Sequence, residues 1–186
     1  DPTLEERMRE GRLPVEMIRT IALSAIDPLQ YLHDADLLHR DIKPRNLFFG
    51  NDVVKVADMG SARMTAGMTY GTMDRGTVGY AHPKQLYEGK ATVGTDLFSF
   101  GQVLRALARG KHPTIDEDPI TTDQLLHIRG SDPPLYTLLE TLCSLDLNKK
   151  PASFKEVENY LNGEDGIEVR SGDSSGVSDS DASHPQ

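Results

Sequence analysis

The sequence contains a single cysteine, Cys143, among its 186 residues, and it contains no tryptophan. One cysteine cannot form an internal disulfide, so the chain is not a disulfide scaffold and suits a reducing compartment. We therefore expect a cytoplasmic location and leave a nuclear one open. No apolar run approaches the roughly 18 to 20 residues of a membrane helix, so we expect no membrane partner. The start is densely charged and is no signal peptide, and the absence of a first methionine indicates a fragment or a start at Met8.

Positive charge is also scarce, because 20 basic residues face 29 acidic ones and the net charge is −9. A net-acidic chain without a basic stripe argues against nucleic acid as the main partner. Residues 163–186 alone carry a net charge of −5 and are rich in Ser, Gly and Asp, with few large apolar side chains. Such a segment cannot offset its ordering entropy. We therefore predict one domain over residues 1–162 and a disordered acidic tail over residues 163–186.

The apolar pattern predicts a mainly α fold with a small β-hairpin. Helical spacing of apolar residues covers 14–35, where Pro14 suits the first helical position and Pro28 is expected to kink the helix. Residues 47–49 and 53–57 predict two short strands around a turn. Residues 59–94 show no steady period and predict a long loop. Further helices are expected at 96–107, which is apolar on nearly all sides, and at 121–128, 134–145 and 154–161, the last opened by a Ser153–Glu156 capping box.

The most informative segment is residues 39–46, HRDIKPRN, followed twelve residues later by Asp58 in the triplet DMG. It combines two carboxylates, one amide and one lysine around a strand–turn–strand. This combination suits phosphoryl transfer, because Asn46 and Asp58 offer hard oxygen ligands to Mg²⁺ and Lys43 can neutralise phosphate charge. Asp41 can orient a hydroxyl group and accept its proton.

At these residues the chain resembles the eukaryotic protein kinases. Residues 39–46 match the catalytic-loop signature His-Arg-Asp-x-Lys-Pro-x-Asn, and the DMG triplet stands where the family has Asp-Phe-Gly. Residues 76–84 (GTVGYAHPK) resemble the end of the activation segment, and residues 96–101 (DLFSFG) resemble the start of the central buried helix. The four landmarks occur in the family's order and spacing, and the resemblance covers residues from about 4 to 162. It implies the C-terminal lobe of a serine/threonine kinase: an α+β kinase fold lacking its N-terminal lobe.

The resemblance implies a role for each matching residue. Asp41 would be the catalytic base, and Lys43 would contact the transferred phosphate of ATP. Asn46 and Asp58 would hold Mg²⁺, and Thr77 would form hydrogen bonds near Asp41 and Lys43. The partner would be a protein substrate with a Ser or Thr acceptor, because a lysine two places after the aspartate is the serine/threonine pattern.

Four further residues receive supporting or regulatory roles from the same resemblance. His39 would pack beneath the DMG triplet, and Asp96 would bind backbone amides of the catalytic loop. Thr72 lies close to where the family often carries its activating phosphate, and Arg40 would pair with that phosphate. A threonine-rich loop without a switch is the alternative for Thr72.

The sequence before His39 lacks the family's other phosphate-binding elements. It contains one glycine, Gly11, and no lysine, so the glycine-rich loop and the strand lysine are missing. We therefore expect a missing N-terminal lobe or upstream segment, and weak or no activity from this chain alone. Two alternatives stay open at this point: a pseudokinase or C-lobe-only protein that acts as a binding module, and, with less support, a small-molecule phosphotransferase.

One departure from the family concerns a partly buried ion pair. The family's Ala-Pro-Glu glutamate usually pairs with an arginine before the last helix, and the matching residues here are Lys84 and Lys150. If these two like charges face each other, the activation segment loses an anchor. Lys84→Glu is then expected to restore an attractive contact and raise stability.

Overall fold

The computed structural model describes residues 1–64, 76–114 and 125–164. Its seven described helices and four described strands follow in chain order. They are α1 Leu4–Met8, α2 Val15–Asp34, β1 Leu37–Leu38, β2 Leu47–Gly50, β3 Val53–Val56, β4 Arg63–Met64, α3 Pro83–Glu88, α4 Val93–Arg109, α5 Leu126–Ser131, α6 Pro133–Cys143 and α7 Phe154–Asn162. The described residues thus form a mainly helical fold with short antiparallel strand pairs, as the sequence predicted.

The charged N-terminal segment contains a short helix that the sequence analysis did not predict. Thr3 and Glu6 form a capping box at the start of α1, with the Thr3 side chain accepting from the Glu6 N–H. Leu4 and Met8 are buried on its inner face. Two apolar residues four positions apart are thus enough to attach this charged segment to the core.

Helix α2 forms where apolar periodicity predicted it and runs through Pro28 without ending. Pro14 is the residue before the helix rather than its first helical residue, because its ψ angle of 147° is extended. The helix packs against β3 and α7. Its buried face continues the predicted stripe: Ile18, Ile21, Ala22, Ala25, Ile26, Leu29 and Leu32.

Strands β2 and β3 form the predicted hairpin, with Leu47 opposite Val56 and Gly50 opposite Val53. The two turn residues, Asn51 and Asp52, have φ angles of 52° and 59°. Positive φ at both central positions is typical of the type I′ turn, which matches the twist of a hairpin. Beside the hairpin, β1 pairs antiparallel with β4.

The prediction of a continuous loop over residues 59–94 was wrong in its described parts. Residues 63–64 form β4, and α3 occupies Pro83–Glu88. Pro83 begins α3, His82 caps it, and Gly89 ends it with a φ of 70°. Six helical residues are too few to display a periodic pattern, so the cap residues were the only local signal.

Helix α4 is the centre of the core, and each of its residues from Thr95 to Ala108 is buried. A capping box between Thr92 and Thr95 begins it, and Gly110, with φ of 67°, ends it. The helix begins three residues earlier than predicted and packs closely against α6. A helix buried on all sides holds its polar residues in fixed positions, and Asp96 is one of them.

The remaining helices correct the predicted bounds. Helix α6 begins at Pro133 and ends at Cys143, and α7 ends at Asn162. Ser153 caps α7 as predicted, but the Glu156 side chain accepts from the Ala152 N–H, so the capping box is incomplete. Part of the predicted helix at 121–128 lies outside the described residues. Within the described residues, α5 covers Leu126–Ser131. The tail beyond residue 164 also lies outside them. Within the described ranges, no helix is long and apolar enough to cross a membrane.

Close contact between α4 and α6 predicts the effect of adding a single methyl group. A Cβ atom at Gly101 would lie 2.6 Å from Leu142 Cβ and 3.0 Å from the Leu142 carbonyl carbon. Gly101→Ala should lower the free energy of unfolding by about 1–3 kcal/mol, because the helix backbone must move. Gly130→Ala in α5 is the matched control, since nothing lies within 4 Å of its Cβ position. Urea denaturation should show this control unchanged or about 0.4–1 kcal/mol more stable, and equal effects of the two changes would contradict the packing.

Candidate active site

The catalytic-loop residues lie between β1 and β2, and buried Asp96 holds the first of them in place. Asp96 Oδ2 accepts from the His39 N–H at 2.8 Å, and Oδ1 accepts from the Arg40 N–H at 2.9 Å. Arg40 has a φ of 69°, a strained conformation for a residue with a side chain. The two hydrogen bonds to Asp96 help to hold this strained turn.

His33 is a third partner of Asp96, and the sequence analysis did not identify it. Its Nε2 lies 2.9 Å from Asp96 Oδ2 and donates, because a carboxylate oxygen only accepts. His33 is four residues beyond Leu29 on the buried face of α2. This helical spacing is the sequence feature that could have predicted that His33 faces the core. The contact ties α2, α4 and the catalytic loop together.

His39 is fully buried beneath the strand that leads to Asp58. Its Nε2 lies 3.2 Å from the Ala57 carbonyl oxygen, and its Nδ1 accepts from the Asp41 N–H at 3.3 Å. One imidazole ring therefore connects the backbone before Asp58 to the backbone of Asp41. This position agrees with a supporting part for His39 rather than a direct chemical one.

Asp41, Lys43 and Thr77 come together in a closed group of hydrogen bonds. The Thr77 hydroxyl donates to Asp41 Oδ1 at 2.7 Å, and Lys43 Nζ donates to Asp41 Oδ2 at 2.7 Å. Lys43 Nζ also donates to the Thr77 hydroxyl at 3.0 Å. The side chains of Asp41 and Lys43 are 13% and 22% exposed, so the carboxylate is accessible at the surface. The arrangement holds a carboxylate and an ammonium group where both can reach a hydroxyl-bearing ligand.

Asn46 and Asp58 leave the hairpin at the same end. The Asn46 carbonyl oxygen accepts from the Ala57 N–H at 2.9 Å, which places the next residue, Asp58, beside Asn46. The Asn46 Nδ2 atom donates to the Asp41 backbone oxygen at 2.8 Å and to its carboxylate at 3.3 Å. Because Nδ2 is occupied, Oδ1 is the atom left to bind a ligand. Asp58 is exposed, has a φ of 60°, and accepts from the Gly60 N–H at 3.4 Å.

These two residues fit a magnesium ion by their chemistry. An amide oxygen and a carboxylate are hard ligands, and Mg²⁺ usually binds one or two such groups together with water and substrate phosphates. Among the described residues, no group of three or more His, Cys, Asp or Glu side chains could hold a metal.

Gly76 and Gln85 connect the catalytic loop to the segment that contains Thr77. The Gln85 side chain is buried and donates through Nε2 to the Arg40 carbonyl oxygen. Gly76 has a φ of 82°, and a Cβ there would lie 2.7 Å from Gln85 Nε2 and 3.0 Å from the Arg40 oxygen. A glycine is therefore required at this close approach, which accounts for the Gly76-Thr77 landmark. Gln85 was not identified from the sequence, because its partner is a backbone atom 45 residues away.

The expected contact between Lys84 and Lys150 does not form. Lys84 is exposed, whereas Lys150 is 3% exposed and donates from Nζ to the carbonyl oxygens of Leu142 and Ser144, each at 2.7 Å. These carbonyls lie at the end of α6, where a cation is favourable. Burial lowers the pKa of Lys150 to about 8. The stabilisation expected of Lys84→Glu therefore does not follow, because Lys150 has other partners.

Thr72, the expected site of the phosphate that Arg40 would bind, lies outside the described residues. Arg40 Nε is buried without a hydrogen-bond partner in the described part of the chain.

The chain is similar to known protein kinases. Residues 2–158 match the family description "Protein kinase domain". The chain is 30% identical over 169 residues to the serine/threonine-protein kinase AfsK of Streptomyces griseus, which covers 86% of this chain. It is 31% identical over 150 residues to the serine/threonine-protein kinase PknA of Corynebacterium glutamicum, covering 77% of this chain. It is 34% identical over 149 residues to a proline-rich receptor-like protein kinase of Arabidopsis thaliana, covering 75%.

The chain spans only part of the length of these relatives. The matched region covers 21% of the Streptomyces protein, 32% of the Corynebacterium protein and 20% of the Arabidopsis protein. The similarity thus concerns one region that these larger proteins share.

Proposed function

Because the chain belongs to the protein kinase domain family, of the serine/threonine type, we propose that residues 1–162 are the C-terminal lobe of a kinase domain. This lobe would transfer the γ-phosphoryl group of ATP to Ser or Thr hydroxyls of a protein substrate. The observation that carries the proposal is the Asp41 carboxylate, held by the Lys43 ammonium group and the Thr77 hydroxyl at 2.7 Å each. An N-terminal lobe would complete the nucleotide site.

Asp41 would act as the catalytic base. Its Oδ1 oxygen already accepts a hydrogen bond from the Thr77 hydroxyl, and a substrate hydroxyl would approach the same carboxylate. A carboxylate in this position aligns the attacking oxygen and receives its proton as the new P–O bond forms. The bond between the γ-phosphorus and the bridging oxygen breaks, and ADP leaves with the bonding electrons.

Lys43 would stabilise the charge on the transferred group. Its ammonium group has three donors, of which two are used by Asp41 and Thr77. The third donor remains for a phosphate oxygen. Since Lys43 also fixes Asp41, a single residue would link the position of the base to the position of the phosphate.

Asn46 and Asp58 would bind Mg²⁺ through the Oδ1 atom of the amide and the exposed carboxylate. A bound ion would neutralise charge on the phosphate oxygens. The chain's own contribution is to fix the two ligands. The hairpin register and the Asn46–Ala57 hydrogen bond set their backbones side by side.

We also propose Thr72 as a regulatory phosphorylation site with Arg40 as its partner. A phosphate would add about −1.5 to −2 charges, and the positively charged guanidinium of Arg40 would pair with it. Mass spectrometry of the active protein from cells tests this. An unmodified Thr72 in the active form would leave only the alternative, a threonine-rich loop without a switch.

Thr77 provides the experiment that tests the arrangement. Thr77→Val keeps the shape of the side chain but removes the hydroxyl that donates to Asp41 and accepts from Lys43. We expect kcat for phosphorylation of a Ser peptide to fall by about 10- to 100-fold, since small misplacements of reacting groups have effects of this size. The protein assayed should be the longest native chain that contains these residues.

Thr77→Ser is the matched control, because serine keeps the hydroxyl and loses only a methyl group. It should retain kcat within a few-fold of the unmodified protein. If Thr77→Val is as active as Thr77→Ser, Thr77 does not position Asp41, and the proposed arrangement fails.

A further inference from the structure

His82 connects the segment that carries Thr77 to the far side of the fold, through both of its ring nitrogens. The side chain is 2% exposed. Its Nδ1 accepts from the Lys84 N–H at 3.1 Å, which caps α3, and its Nε2 lies 3.1 Å from the Leu145 carbonyl oxygen. A carbonyl oxygen only accepts, so Nε2 carries the hydrogen, and Nδ1 must be bare to accept an N–H. The contacts thus fix one tautomer of a neutral imidazole.

The ring of His82 is also packed in place by α4. It meets the Phe98 ring edge-on, with centroids 5.0 Å apart and an angle of 86° between the planes. Lys150 Nζ lies 5.3 Å from the centre of the same Phe98 ring and binds the carbonyls that end α6. His82 and Lys150 therefore both contact the Phe98 ring and bind neighbouring carbonyl groups, that of Leu145 for His82 and those of Leu142 and Ser144 for Lys150.

This arrangement stands where the kinase family usually has an ion pair between the activation segment and the residue before the last helix. Here Lys84 occupies the family's acidic position and is exposed. His82, two residues earlier, is buried and contacts the turn after α6. Its hydrogen bond to Leu145 is thus a polar link between the start of α3 and that turn.

A short chain of backbone contacts joins His82 to the candidate active site. The N–H groups of Tyr80 and Ala81 both donate to the Thr77 carbonyl oxygen, at 3.0 and 2.9 Å. Thr77 in turn donates to Asp41. Residues 77–82 are therefore one tight turn, with Thr77 at the catalytic aspartate and His82 at the turn after α6.

We propose that His82 is a positioning residue: its neutral imidazole anchors residues 76–82 through two ring contacts, one to the turn after α6 and one to the start of α3, and its protonation breaks the contact with α3. The catalytic consequence, loss of alignment between Thr77 and Asp41, rests on the proposed function. The anchor itself does not.

Burial, together with two nearby lysines, makes protonation of His82 unfavourable. From α3 it faces Lys84 and Glu88, from the segment after α6 it faces Lys150, and its contact on α4 is the uncharged Phe98. Burial is the largest cause that lowers the pKa of His82 below its usual 6.5, followed by Lys150 and Lys84, while the Leu145 carbonyl and Glu88 act in the opposite direction. A proton on Nδ1 would point at the Lys84 N–H, so the cap of α3 would be lost.

The direction of the pH effect follows from linkage. The unfolded chain binds a proton at His82 near pH 6.5, whereas the folded chain binds it only at lower pH. The anchor is therefore complete above pH 6.5, and stability falls as the pH drops from 6.5 through the lower pKa of the folded state.

Nuclear magnetic resonance of the unmodified protein tests the anchor directly. We expect the ¹⁵N shifts of His82 to show a hydrogen on Nε2 alone at pH 7.5, with titration below pH 6.5. The protection of the Lys84 amide, which donates to His82 Nδ1, against hydrogen exchange, corrected for the intrinsic rate, should fall roughly fivefold to tenfold as His82 titrates, about the loss of one helix cap. Titration at an ordinary pKa without loss of protection would overturn the proposal.

Two variants separate the anchor from the proposed function. His82→Asn keeps an acceptor for the α3 cap but cannot titrate, so the pH dependence of the protection should disappear; His127→Asn, in α5, should keep it. In a peptide kinase assay, His82→Asn should lower kcat more than it raises KM, because Thr77 loses its alignment with Asp41. If protection changes as expected but no kinase activity is found, the anchor stands and the proposed function fails. If activity is found and neither protection nor kcat depends on His82, the anchor fails alone.

Discussion

Replacing Asp41 with asparagine is expected to lower the rate of phosphoryl transfer by about 10²- to 10⁴-fold and to leave the fold intact. The asparagine keeps the shape of the side chain but cannot take a proton from a substrate hydroxyl. It also places an NH₂ group against Lys43 or Thr77, both of which donate to Asp41 in the structure. The free energy of unfolding should change by no more than about 1 kcal/mol, because the Asp41–Lys43 pair is partly exposed.

Asp52→Asn is the matched control for this change. Asp52 is exposed in the turn of the hairpin, where its φ of 59° suits asparagine. Single-turnover assays at saturating ATP should show unchanged transfer by this variant. If Asp41→Asn transfers phosphate as quickly as Asp52→Asn does, Asp41 is not the base.

Replacing Asp96 with alanine is expected to give the largest loss of stability. Asp96 is fully buried and accepts from the backbone N–H groups of His39 and Arg40 and from the His33 ring. Removing the carboxylate leaves three buried donors without a partner, each with a penalty of roughly 1–3 kcal/mol. We expect the free energy of unfolding, from urea titration, to fall by about 3–5 kcal/mol. Activity should fall as well, since Arg40 loses support for its positive φ.

Asp27→Ala controls for the loss of an acidic group. Asp27 is exposed on α2, so its removal should change stability by no more than about 0.5 kcal/mol. A similar small change at Asp96 would mean that the catalytic loop is held by other contacts. A large loss of stability with full activity would mean that the loop geometry does not depend on Asp96.

The sequence was sufficient for those parts of the fold that depend on local patterns. Helix α4 is apolar on nearly every side, and the hairpin has a turn with two residues suited to positive φ. Both patterns depend on residues close together in the chain, so they are visible without the structure. The resemblance to the kinase family likewise predicted that Thr77 lies close to Asp41 and Lys43, as it does in the structure.

Contacts between distant segments could not be predicted in the same way. Gln85 binds a backbone oxygen 45 residues away, and His33 binds a carboxylate 63 residues away. The position of Lys84 in the family pattern indicated a contact with Lys150, but the outcome depended on side-chain directions. In the structure, Lys150 donates to the Leu142 carbonyl oxygen, and His82 is the side chain that contacts the Leu145 carbonyl oxygen. Such choices depend on three-dimensional packing that no local spacing encodes.

The most direct test of the proposed function is the fate of labelled phosphate. The longest native chain that contains these residues should be incubated with Mg²⁺ and ATP labelled at the γ-phosphate, together with matched peptides whose acceptor is Ser, Thr, Tyr or Ala. We predict label on the Ser and Thr peptides, little on the Tyr peptide and none on the Ala peptide, with the signal lost in Asp41→Asn. Label on no peptide above the level of Asp41→Asn, or label mainly on the Tyr peptide, would contradict a serine/threonine kinase.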